Sequence, residues 1–178
     1  MIRIGMISNP QEELIKNAVL SIMNYSGLDI NSLNIQPVDE TNHSESYNIM
    51  LINNIMPCIN LTKALDNIES GGILILNADE KNISGLRFTK PINVISYGFN
   101  PKSTVTASSV IEDEYLCVQC CIQREFFTLD GSVIEPQEFS INIKDNNATV
   151  SNILASVIVS LLCGASTRQI ESLFLIAV

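Results

Sequence analysis

Four apolar runs without polar alternation set the strongest constraint on this chain. Ile2–Ile7, Tyr47–Ile52, 73–76 and 92–97 are short, rich in isoleucine and bounded by Asn, Pro or Gly. A strand with one wet face alternates polar and apolar residues, whereas a strand buried on both faces does not. The four runs therefore predict inner strands of a parallel sheet covered by helices on each side. Parallel strands need long return connections, and the intervals between the runs supply them. After Ser8, Asn9 and Pro10, the residues Leu14, Ile15, Ala18, Val19, Ile22 and Met23 recur at helical spacing until Ser26 and Gly27. Asn9 suits the cap of that helix and Pro10 its first turn. Residues 28–46 are polar, contain Pro37 and predict at most one short strand. Asn60 or Thr62 can cap a helix that runs to Ile68 and is closed by Gly71 and Gly72.

The pattern changes after Gly98. Residues 104–111, Leu116–Ile122, 126–129 and 139–143 read as short strands joined by turns, with Asp130 and Gly131 forming a hairpin turn. This predicts an antiparallel β addition in residues 104–143. Two helices follow, Val150–Leu162 and 167–175, the second opened by the capping-box pair Ser166 and Gln169. No repeat, low-complexity tract or linker divides the chain. The expected architecture is α/β, a three-layer, mostly parallel sheet flanked by helices, with residues 1–178 as a single domain.

Charge narrows the partners. Lys and Arg total 10 against 19 Asp and Glu, a net charge of -9, which repels nucleic-acid phosphates and anionic lipid. Lys81, Arg87, Lys90 and Lys102 are scattered and read as solvated surface. No nucleic-acid partner and no membrane partner are expected. The uncharged stretch 148–167 contains Ser151, Asn152, Ser156, Ser160 and Ser166, so it reads as a buried helix and not as a membrane span. The amino terminus lacks the charged and apolar regions of a secretory signal, so a cytoplasmic location is expected. Five cysteines then read as reduced thiols.

Conventional catalytic groups are sparse. The turn after the first run would be the place for a phosphate-binding loop, which needs glycines, a Lys and a Ser or Thr. The segment Ser8, Asn9, Pro10, Gln11, Glu12, Glu13 has neither Lys nor Thr, and its two acids would repel a triphosphate. It reads as a helix start with acids in the favourable first turn. The one histidine, His43, sits in the polar connection without a second ligand at metal spacing. Cys117 and Cys120 have the C-x2-C spacing of a zinc or redox pair, but alternation in a strand puts them on opposite faces, so packing is the expected role. No metal site is expected, and no Ser, His and Asp set can be assembled without His43.

Three segments in order resemble the central ATPase domain of the Mur ligases, the ATP-dependent amide-bond ligases of peptidoglycan synthesis. GGILILNAD at 71–79 is similar to the family's "gG…iiNaDD". VISYG at 94–98 followed by VTASSVI at 105–111 is similar to "vityG…adv.a..i". VSNILAS at 150–156 with LCGA at 162–165 is similar to "HNv.NalAA…a..lG". The resemblance covers most of the chain and implies a P-loop-NTPase-like fold, with the substrate and carboxy-terminal domains of such ligases outside it. It also implies where nucleotide contacts would lie. The family's "GTNGKT" loop becomes Ser8 to Glu13, a vestigial phosphate loop, and its magnesium-binding acid falls in a deletion between Asn31 and Tyr47. Its "tNi…DH" becomes INNIMPC at 52–58, and its "HN" falls on Ala148 and Thr149. Asn77, Asp79 and Asn152 remain as residual cofactor-binding positions, each also suited to a structural role in a turn or helix start.

Losing Lys, Thr, Glu and His together removes the charges that position a triphosphate, and positioning is most of phosphoryl-transfer catalysis. The resemblance therefore implies a degenerate member without catalytic residues, acting as a binding, scaffold or regulatory module with a protein partner or as a homo-oligomer. The apolar segment 173–178 would need covering by the core or by a partner. No cofactor is expected under that reading. ATP and magnesium enter under the alternative, a ligase subunit whose incomplete site another chain completes. A third reading is a small-molecule sensor using the crevice near Ser8, Asn9, Asn53 and Asn54.

Overall fold

The computed structural model describes residues 1–8, 10–38, 45–55, 60–83, 86–144 and 147–176. Among them, eleven strands and four α-helices follow the order β1 (Ile2–Ile7), α1 (Glu12–Tyr25), β2 (Leu33–Pro37), β3 (Tyr47–Ile52), α2 (Leu61–Asp66), β4 (Ile68–Asn77), β5 (Asn93–Tyr97), β6 (Val105–Glu112), β7 (Leu116–Ile122), β8 (Phe126–Phe127), β9 (Val133–Ile134), β10 (Gln137–Lys144), α3 (Val150–Leu162), α4 (Thr167–Ser172) and β11 (Phe174–Ile176). Nine strands form one sheet in the order β2-β1-β3-β4-β5-β6-β7-β10-β11, and β8 pairs with β9 as a separate hairpin. Every neighbouring pair from β2 to β6 is parallel. β7 is antiparallel to both β6 and β10, and β11 is parallel to β10. One strand, β7, thus runs against all the others. The α/β class, the parallel sheet and the antiparallel addition expected within 104–143 are all present.

Both faces of β1, β3 and β4 are covered, which is why these strands lack alternation, whereas β5, expected to be buried on both faces, has Asn93 and Val94 exposed and Ser96 half-buried. Ile4, Met6, Ile49, Leu51, Ile73 and Ile75 join a core with α1, α3 and α4. Met50, Ile52 and Leu74 point the other way, into a smaller cluster with Ala64 and Leu65 of α2. Helix α3 is buried without a break from Asn152 to Leu162, a helix apolar on all sides and lodged in the core. Its serines fit there because each hydroxyl donates one turn back along the helix: Ser156 Oγ to Asn152 O at 2.8 Å and Ser160 Oγ to Ser156 O at 2.8 Å.

Four local expectations are corrected. Helix α1 starts at Glu12, with Gln11 at the cap and no side-chain capping bond, because the Gln11 N–H donates to Ser8 O at 2.6 Å and closes a tight turn first. Pro10 precedes the helix, and Asn9 lies outside the described residues. Helix α2 ends at Asp66, and β4 begins at Ile68, so Gly71 and Gly72 lie within the strand, beside a register irregularity against β3. The last helix stops at Ser172 instead of continuing to 175. Phe174–Ile176 pairs with Asn142, Ile143 and Lys144 as β11, so this part of the apolar terminus is an edge strand.

The sheet is also stepped. β5 and β6 share a single register pair, Tyr97 with Val105. β6 therefore begins where β5 ends, and β6, β7 and β10 are displaced along the strand direction, beyond the carboxyl ends of the inner strands.

Candidate functional site

In an open parallel sheet, ligands bind outside the carboxyl ends of the strands, where successive connections diverge to opposite sides. Here that point lies between β1 and β3, because β1 leads to β2 on one side while β3, β4 and β5 follow on the other. Ser8 follows β1 and Asn53 follows β3. Both are buried, and they meet across the gap, Asn53 Nδ2 donating to Ser8 Oγ at 3.0 Å.

Asn53 is the hub of a wider network. Its Nδ2 also donates to Asn152 Oδ1 at 2.9 Å, in the first turn of α3, and to Gln11 Oε1 at 3.4 Å. Its Oδ1 accepts from the Tyr97 hydroxyl at 2.6 Å. Its backbone N–H donates to Ile7 O at 3.0 Å, and its carbonyl accepts from Asn77 Nδ2 at 3.0 Å. Asn77 then donates to Ser151 Oγ at 3.1 Å and accepts from the Asp79 N–H at 3.1 Å, an Asx turn. Four strands and two helices are thus joined by hydrogen bonds among neutral groups. Burial pushes the Tyr97 hydroxyl well above its ordinary value, and Glu80 and Asp79 add to the effect, so Tyr97 is a neutral donor.

The sequence-predicted site residues divide between this network and the surface. Ser8, Gln11, Asn77 and Asn152 belong to it. Asp79 faces the loop after β5, where its carboxylate accepts from the N–H groups of Phe99 at 2.6 Å and Asn100 at 3.1 Å. Gly98 makes this approach possible: its φ is +134°, and a Cβ there would run into the Asp79 carboxylate. Glu12 and Glu13 occupy the first turn of α1, with Glu13 exposed and 3.8 Å from Lys16. Several donors near the crevice are spent or missing: Pro10 has none, Gln11 N–H serves Ser8 O, and the N–H groups of Asn53 and Asn54 both serve Ile7 O, while the first turn of α1 has no side-chain cap and carries Glu12 and Glu13 instead.

Among the described residues, three buried side-chain atoms lack a hydrogen-bond partner, Ser26 Oγ, Ser103 Oγ and Asn152 Nδ2. Of these, Asn152 Nδ2 belongs to the network, and leaving it unpaired costs about 1–3 kcal/mol. The continuous apolar runs mark the strands that hold these groups but not which side chains meet, so the roles of Tyr97 and Ser151 were not legible. Asn53 was visible only as a residue beside the crevice.

Among the described cysteines, Cys120 is the one that is fully packed. Cys120 is in the core while Cys117 and Cys121 are half-exposed on the other face of β7. Burial pushes the thiols of Cys120 and Cys163 up to about 12, with Cys117 and Cys121 adding to the shift at Cys120, and such thiols are poor nucleophiles and ligands. No cluster of three His, Cys, Asp or Glu able to hold a metal occurs among the described residues. Cys58 and His43 lie outside them. No helix among the described residues is long and apolar enough to cross a membrane.

No protein-family model matches the sequence, and no curated protein matches it. Solved structures do. UDP-N-acetylmuramoylalanyl-D-glutamyl-2,6-diaminopimelate--D-alanyl-D-alanyl ligase from Acinetobacter baumannii, a Mur ligase, superposes with a TM-score of 0.70 at 13% identity. The match covers 97% of this chain and 46% of that one, so the chain spans about half the length of the ligase it resembles. At that identity the likeness establishes a Mur-ligase-like fold.

Proposed function

We propose that this Mur-ligase-like chain is a non-catalytic module that works by binding another protein, with residues 1–178 corresponding to the ATPase domain of such ligases and with a role linked to cell-wall metabolism. The observation that carries the reading is the Asn53 network. It occupies the crevice between β1 and β3 with hydrogen-bonded neutral side chains, while the adjoining turn presents Glu12 and Glu13 where a triphosphate needs positive charge. A triphosphate would have to break that network and approach two carboxylates, of which, among the described residues, only Glu13 has a cation beside it, Lys16 at 3.8 Å.

A second reading is favoured by one atom. The unpartnered Nδ2 of Asn152 is a donor available to a ligand, as expected of an ATP-dependent amide-bond ligase subunit whose site another chain completes. The two readings separate in a thermal-shift titration with ATP, ADP and magnesium, since a ligand of the native state raises the midpoint with concentration. The binding-module reading predicts no shift at millimolar nucleotide. A concentration-dependent rise would replace it with the ligase-subunit reading.

A further inference from the structure

We propose that the free edge of β6 is a docking surface for a second copy of this chain, the two β6 strands pairing antiparallel about a twofold axis near Val110. The stepped sheet leaves this edge open. β5 pairs with β6 only at Val105, and beyond it Ser108, Ser109, Val110, Ile111 and Glu112 are all exposed, so neither face of this part of the strand is covered. Val110 is 40% and Ile111 62% exposed, and Tyr115, in the turn before β7, is 44% exposed. Val110 and Ile111 are large apolar side chains on a strand that projects past its neighbour.

The ladder shows which backbone groups point outward. Gln123 N–H donates to Thr104 O, and Gly98 N–H donates to Val105 O, so before the register shift at Ala107 and Ser109 the odd positions face away from β7. Asp113 N–H donates to Tyr115 O, so after the shift the even positions do. The N–H and C=O of Val110 therefore point to the open side. Residues 108–112 hold no Pro or Lys, the residues that commonly protect such an edge.

Charge selects a second copy as the occupant. The tip of the ribbon carries Glu112, Asp113 and Glu114. The base carries Lys102 and Arg124, joined by Arg124 Nη1 donating to Lys102 O at 2.6 Å, against one acid, Glu125, so cations outnumber acids there. A twofold at Val110 sets Glu112 opposite Ser108 and Glu114 opposite Thr106 of the other copy, and so brings each acidic tip toward the other's basic base. The same surface serves both copies, as a closed isologous dimer requires.

The proposal deepens the binding reading by naming a partner, and its test reads mass, not nucleotide affinity. In sedimentation equilibrium up to about 100 µM, the wild type is expected to pass from 19.6 kDa toward twice that mass. Val110→Pro removes an outward N–H without touching the β7 ladder, and Val110→Lys keeps the backbone intact while setting like charges opposite each other. Each is expected to weaken association at least about tenfold, with unchanged far-ultraviolet circular dichroism. If Val110→Pro unfolds, Val110→Lys alone decides. A wild type that stays at monomer mass throughout would overturn the dimer, as would folded variants that associate as tightly as wild type. Neither result bears on the nucleotide titration, which decides the binding reading separately.

Discussion

Asn53 spends its amide and its peptide group on bonds to other elements, so truncating it strands several buried partners at once. Asn53→Ala leaves the Tyr97 hydroxyl without an acceptor and Ser8 Oγ and Asn152 Oδ1 without a donor, and it should cost about 3 kcal/mol in urea unfolding. Tyr97→Phe removes one donor and should cost about 1 kcal/mol. The double variant should lose less than the sum, because both act on one network. Gly98→Ala should cost about 1–3 kcal/mol by the same measurement, since it places a Cβ at positive φ against the Asp79 carboxylate. The thiols set an alkaline limit. Cys120 and Cys163 are raised from 9.0 to about 12 in the folded chain, so above pH 9 the unfolded state loses protons that the folded state keeps. Stability from these groups is full below pH 9 and declines toward pH 12, with a slope approaching about 1.4 kcal/mol per pH unit for each thiol. Unfolding curves of wild type and Cys120→Ala across that range should differ in slope.

Elements were legible where one signal dominated. The inner strands β1 and β3 and helix α3 stand where the sequence puts them, because residues buried on all sides leave a continuous apolar signature. Helix α4 is opened by the expected capping box, Ser166 and Gln169. Ser166→Ala should cost about 1 kcal/mol in chemical denaturation. Where two signals competed, the sequence was ambiguous. LFLI at 173–176 continues a helical spacing as readily as it forms a strand, and the unpaired side of β10, a tertiary feature, decides for β11. Gly71 and Gly72 read as a helix stop, yet they lie in β4, where Gly71 takes a φ of +80° and its N–H donates to Pro91 O at 2.8 Å. Asn9 looked like the cap of α1, but the turn closed by Ser8 and Gln11 places the helix start later.

At the scale of the whole molecule, the parallel sheet and its antiparallel addition could be read from the sequence, but the step between them could not. That step depends on the single pairing of Tyr97 with Val105, and no periodicity encodes such an offset. The site was partly legible for the same reason. The absence of Lys and Thr from Ser8 to Glu13 is visible in the letters, whereas the closure of the crevice needs Asn53, Tyr97 and Asn152, which lie far apart in the chain and meet only after folding. Under the proposed function, this closure leaves no nucleotide site. The most direct test follows the backbone amides of Gln11, Glu12, Asn53 and Gly98 by 1H–15N NMR while Mg-ATP is added to millimolar concentration. None of the four signals is expected to move in a saturable way, and saturable shifts at these amides would show that a nucleotide site is present.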